Sequence, residues 1–293
     1  SLRRGRSQDP KGGGQRMRRE KTKNRRQETV GFLILAVSLL AAVTIAGIFL
    51  KDAAMATDFD SKNLAPSISH LFGTDWMGRD MFARTLAGLS LSIRIGLLTA
   101  CVSAGIALLM GTGAAVLGRR ADACISWWID LMMGIPHVLL VILISLACGK
   151  GVLGVAAGVS FSHWPSLSRV IRGEVLQLRQ APYVLAAGKL GAGKLQVAGR
   201  HMLPHVLPQF LTGLILLFPH AILHESSVTF LGFGLSAEQP AIGVILSESM
   251  QYLTTGKWWL ALFPGISLVL TVGLFALLGE RARRLLDPAS VHE

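Results

Sequence analysis

An all-α bundle of about six membrane-spanning helices is the fold class the sequence predicts, and three observations carry it. Of 293 residues, 51% are hydrophobic and only 16% charged, whereas a soluble domain carries about 25% charged residues. Too little charge remains to cover a water-facing surface. Six stretches of 18 to 24 residues hold no Asp, Glu, Lys or Arg: 29–50, 95–118, 131–149, 151–168, 201–224 and 258–279. Each is close to the roughly 20 residues that cross about 30 Å of hydrocarbon. Finally, the basic residues crowd onto one side of the implied membrane.

The net charge of +12 is mostly a leader effect: residues 1–30 hold 11 Lys/Arg against 3 Asp/Glu. Segment 1–28, with Pro10 and Gly12–Gly14, lacks the apolar surface to fold and is expected as a disordered cytoplasmic tail. Its charges suit anionic membrane lipid, and without interleaved aromatics they argue against nucleic acid. The first helix follows over 29–50. Ala54-Met55-Ala56 imitates a signal-peptide cleavage site, but leader and apolar run are both too long for one. With the N-terminus inside, segments 1–28, 119–122, 169–200 and 280–293 hold 22 of the 29 basic residues. Both termini are therefore expected in the cytoplasm. Residues 51–88 then form an outer segment, 89–280 the rest of the bundle, and 281–293 a cytoplasmic tail.

The third span begins near Ala123 and contains Asp130, about 10 Å deep by helical rise. A carboxylate there faces protein or water rather than lipid. Met132 and Met133 make a soft wall, and Pro136 beside His137 kinks the helix. The fourth span is Gly- and Ser-rich, with Gly154 and Gly158 spaced for close helix packing. His163 and Trp164 precede Pro165, where a helix break is expected. In the fifth, His220 and His224 lie one turn apart with Glu225 adjacent, the candidate metal contacts. His201 and His205 share that spacing, but Pro204 is expected to break the helix between them. Cys101, Cys124 and Cys148 are too few and too scattered for a disulfide framework or a paired-cysteine zinc site.

The connection 169–200 is far longer than a passive loop. Pro182 suits the first position of a helix, and Gly191 the left-handed residue that ends one. A second short helix is expected from Lys194, stopping before Pro204. Gly188 to Lys194 fits G-x-x-x-x-G-K, but Leu195 stands where Ser or Thr must hold magnesium, so no nucleotide site and no enzyme activity are expected.

Three segments then carry a resemblance. Tyr183-Val184-Leu185-Ala186-Ala187, Leu190-Gly191-Ala192 and His201-Met202-Leu203-Pro204 resemble the "EAA" loop of binding-protein-dependent ABC importer permeases. Gly73-Thr74-Asp75 with Gly78-Arg79-Asp80 is similar to the G-T-D-x-x-G-R-D segment of the peptide/nickel branch. Thr229 to Leu235 is similar to its S-F-L-G-x-G run. Leu185 replaces the Glu of the loop's name. The resemblance implies a type I importer fold and coupling residues Tyr183, Ala186, Ala187, Gly191, Ala192, Lys194, His201 and Pro204, within a coupling loop spanning 169–204. It implies a second homologous permease, two ATPase subunits carrying ATP and magnesium, and an extracytoplasmic solute-binding protein, in a bacterial or archaeal plasma membrane. No cofactor is expected on this chain. Asp130, Met132, Met133, His137 and His163 are candidate pathway residues. The substrate is left between nickel or metal chelates and di- or oligopeptides, with the histidines tilting toward metal. An ion-coupled secondary transporter and an intramembrane hydrolase on His220, His224 and Glu225 are the rival readings.

Overall fold

The computed structural model describes residues 11–286, with side chains from residue 27 onward. Eleven α-helices follow one another: α1 (Lys11–Phe49), α2 (Lys51–Met55), α3 (Met81–Leu117), α4 (Arg119–Gly134), α5 (His137–Ala147), α6 (Gly151–Leu178), α7 (Pro182–Lys189), α8 (Lys194–Val197), α9 (Leu203–Phe230), α10 (Ile242–Leu253) and α11 (Trp259–Leu286). Among the described residues there is no strand, only an isolated bridge between Thr74 and Asp80. Residues 1–10 of the expected tail, and 287–293 of the C-terminal one, lie outside the described residues. From Lys11 the backbone is already helical, where no fold was expected.

All six expected spans correspond to helices, but they differ in apolarity. Four are long and apolar enough to cross a membrane: 27–49 within α1, α3, residues 194–230 through α8 and α9, and α11. A fifth arises if α4 and α5 count as one broken span, bent by 100°. That bend corrects the expectation of a kinked but continuous third helix. Ile135 is extended (φ −88°, ψ 135°) and Pro136 caps α5, because proline removes a backbone donor and disfavours helix at the residue before it. The fourth expected span lies in α6, which stays helical through Pro165. The break expected there does not occur. Pro165 costs an internal hydrogen bond, but its surroundings are buried, with Trp164 at 4% exposure, and packing keeps the segment helical.

α3 is the central post. Its buried face is a run of small residues, including Ala100, Ser103, Ala104, Ala107 and Gly111, and α6 lies against it most extensively. Small side chains let the two backbones approach, and Ser103 Oγ donates to the Ser160 carbonyl at 2.7 Å. Gly154 and Gly158 find their partner in α5. A Cβ on Gly154 would sit 2.7 Å from the Ser145 carbonyl oxygen, and one on Gly158 2.6 Å from that of Val141. The spacing therefore sets the α5–α6 contact, and any larger residue would push the helices apart.

α3 runs 37 residues, about 55 Å by helical rise, beginning 14 residues before the apolar run that predicted it. The last eight residues of segment 51–88 are therefore already helix. α10 was not expected at all. It packs on α3, α9 and α11, burying Ile242, Val244 and Ile245.

Candidate functional site

The loop between α6 and α9 is built on a buried apolar anchor. Val184 of α7, Val197 of α8, and Ala198 and Met202 after it join a cluster with Val175 of α6 and Val116 of α3. Arg179 Nη1 also donates to the Ala115 carbonyl at 2.6 Å, tying the end of α6 to the end of α3. Pro182 opens α7, and Gly191 sits beyond its C-terminus at φ +90°. The Ala192 N–H donates to the Ala187 carbonyl and the Gly191 N–H to that of Gly188, both at 3.2 Å. These are the two bonds of a Schellman cap, whose left-handed residue is favourable mainly for glycine.

What the loop buries is matched by what it presents. Leu190 is 88% exposed and Leu195 75%, with Tyr183 and Leu185 also exposed. A Cβ added at Gly191 would meet nothing within 4 Å. Ala186 and Lys194 are exposed, Ala187, Ala192 and His201 partly so. Pro204 does not stop a helix as expected. α8 passes through a π-turn at Ala198–Met202 into α9, with Pro204 in the first turn, where a missing N–H costs nothing. His201 and His205 are thus on one continuous helical path.

A second constellation joins residues from three elements. His137 opens α5, His163 lies in α6 and His224 in α9. Their rings stand nearly perpendicular, with centroids 4.4 Å apart for His137–His163 and His137–His224, and 4.9 Å for His163–His224. One ligand atom from each lies within 4.8 Å of the others, and among the described residues no other three His, Cys, Asp or Glu side chains do so. His163 is buried, and His137 and His224 partly so. The sequence had paired His224 with His220 and Glu225 instead. His220 is exposed and adds only its carbonyl, 2.9 Å from His224 Nδ1, while Glu225 is fully buried, accepting from Ser226 and Thr229 hydroxyls at 3.2 Å. No spacing rule could have found a triad drawn from positions 137, 163 and 224.

The Asp130 side chain is 69% exposed and pairs with Arg169 at 2.5 Å, so in this chain it faces out of the packed core. Met133 is exposed and Met132 partly buried, so only Met132 reaches the packed core.

The third feature is a buried ion network at the start of α3. Asp75 Oδ2 accepts from Arg79 Nε and Arg84 Nη1, both at 2.6 Å. Glu248 of α10 accepts from Arg84 Nη2 at 2.9 Å and Arg79 Nη2 at 3.4 Å. Asp75 Oδ1 takes the Met77 and Arg79 backbone N–H groups. Two arginines thus meet two carboxylates, as buried charges require. Asp80 caps α3 by accepting from the Ala83 N–H at 2.9 Å, and Thr74 donates to the Ser61 carbonyl at 2.5 Å. The G-T-D-x-x-G-R-D segment is consumed inside the chain, and Glu248 is the partner that sequence reading missed.

Comparison with known proteins identifies the family. The family "Binding-protein-dependent transport system inner membrane component" matches residues 103–291. The chain is 31% identical to the dipeptide transport system permease protein DppC of Bacillus subtilis, over 88% of this chain and 80% of that one. It is 32% identical to the oligopeptide transport system permease protein OppC of the same species, over 88% and 84%. With the probable D,D-dipeptide transport system permease protein DdpC of Escherichia coli it shares 35%, over 80% and 78%. A helical bundle with apolar spans, matched by that family along most of its length, is a multi-pass membrane protein of the permease class: the chain belongs to the family of binding-protein-dependent transport system inner membrane components.

Proposed function

We propose that the chain is the transmembrane permease subunit of an ATP-driven importer of di- or oligopeptides. It contributes half of the translocation pathway and couples to a separate ATPase through residues 181–204. The observation that carries the coupling role is the loop's division of labour. Its buried valines lock α7 and α8 onto the bundle, while Leu190, Leu195 and the open side of Gly191 are presented outward with nothing among the described residues to cover them. Apolar side chains this exposed in a loop outside the bundle mark a docking surface. The names of the relatives favour peptides over nickel as cargo.

In this reading the loop and both termini face the cytoplasm, and 51–80 faces outward. ATP and magnesium belong to two partner ATPases, a second permease completes the pathway, and a solute-binding protein delivers the substrate. When the ATPases close, α7 moves with them. α8, the π-turn and α9 form one path that carries the displacement into the bundle, and π-turns inside helices are frequent at functional sites. Substrate shifts the inward–outward balance only through its differential affinity for the two states.

The test contrasts Gly191→Trp with Gly191→Asn in the assembled importer. Asparagine tolerates the left-handed backbone and adds little bulk, so uptake should stay within about twofold of wild type. Tryptophan fills the open side. Uptake should then fall at least about tenfold while membrane insertion is unchanged. Normal uptake by Gly191→Trp would count decisively against docking at this surface.

A further inference from the structure

We infer that His137, His163 and His224 form a binding site for a divalent transition-metal ion where α5, α6 and α9 meet. The first argument is placement. Three imidazoles converge from α5, α6 and α9, and the bend before His137 is what brings α5 to the other two. Their ligand atoms all lie within 4.8 Å of one another. Closing on an ion at about 2.0–2.1 Å asks each nitrogen to move by less than about 1 Å.

The second argument is the backbone hydrogen bonding of two of the rings. His163 Nδ1 lies 2.9 Å from the Val159 carbonyl, and His224 Nδ1 2.9 Å from the His220 carbonyl. A carbonyl only accepts, so in each ring Nδ1 carries the proton and Nε2 keeps its lone pair. This is the arrangement that orients metal-ligating histidines: one ring nitrogen donates to the backbone, the other binds. His137 Nε2 lies 3.4 Å from Ser162 Oγ, itself 3.1 Å from His163 Nδ1. No hydrogen bond among the described residues joins one of the three rings to another.

The donor set selects the ion. Three neutral imidazoles without a carboxylate or thiolate suit zinc, nickel, copper or cobalt rather than magnesium or calcium. Three protein ligands also leave a position open. It can be filled by water or by donor atoms of a bound peptide, so that an ion enters and leaves rather than staying. Taking the ion as cargo rests on the permease reading; binding itself does not.

The test is cobalt binding to the purified full-length chain, co-expressed with its partner permease and carrying a histidine-free affinity tag. Wild type should bind about one Co2+ per chain with the visible absorption of a low-coordinate nitrogen site. His137→Asn and His224→Gln should each weaken binding at least about tenfold, and together abolish it. His205→Gln, on α9 but nineteen residues before His224, should bind as wild type. Thermal unfolding of each variant checks that the bundle is intact, and His137→Asn, at a partly buried position, keeps the test open if another variant misfolds. No Co2+ uptake by wild type, or equal affinity in the double variant, would overturn the site while leaving the importer reading untouched. A Co2+-binding wild type whose assembled importer takes up peptide but no Co2+ would overturn the cargo role alone.

Discussion

The two ends of α3 carry motifs of opposite character. At its start, Asp75, Arg79 and Arg84 turn inward, meet Glu248 from α10 and leave almost nothing exposed. At its far end, the 181–204 loop buries Val184, Val197 and Met202 but presents Leu190 and Leu195. Both segments looked equally functional as sequence. The difference teaches that a motif is structural when its polar groups are satisfied by its own chain, and an interface when apolar groups are left uncovered. A buried ion network stabilises little over a hydrophobic replacement, yet breaking it is severe. An exposed leucine contributes little to folding, whatever it does for a partner.

The sharpest way to break the comparison is Arg84→Met. Removing a guanidinium that is 1% exposed leaves Glu248 only the 3.4 Å contact from Arg79 and Asp75 one guanidinium instead of two. Denaturant unfolding in detergent should show a loss of about 3–5 kcal/mol, and a loss below about 1 kcal/mol would mean that the network is not structural. Leu190→Ser with Leu195→Ser should do the reverse. Stability should stay within about 0.5 kcal/mol of wild type, while co-purification of the ATPase falls several-fold. Intact ATPase capture would move docking elsewhere on the loop. The smallest effect belongs to Asp130→Asn, since the pair with Arg169 is largely exposed on both sides. A change of at most about 1 kcal/mol is expected, with uptake unaltered; a large uptake defect would restore Asp130 to the pathway.

Two prolines show where sequence reading reached its limit. Pro136 and Pro165 both interrupt apolar runs, and local rules treat them alike. The first lies between exposed Gly134 and the start of α5, and the chain bends by 100° there. The second is itself buried beside Trp164 and Leu167, and α6 continues without a break. Burial around the proline, not the proline, decides the outcome. α10 escaped notice for a different reason: at 12 residues it is too short to register among runs long enough to span a membrane, although Ile242, Val244 and Ile245 mark a buried side.

By itself the sequence determined what local chemistry dictates. Charge-free runs placed the bundle helices, Pro182 and Gly191 set the ends of α7, and Gly154 and Gly158 marked a tight helix contact. These depend on backbone stereochemistry and on side-chain size within a few residues. Only the tertiary structure decided that Asp75 belongs with Glu248, 173 positions later, that Asp130 is turned outward, and that His224 meets His137 and His163 instead of its neighbour His220. Such choices follow from how helices cross, and crossing geometry comes from the packing of whole faces, which no short window of sequence contains.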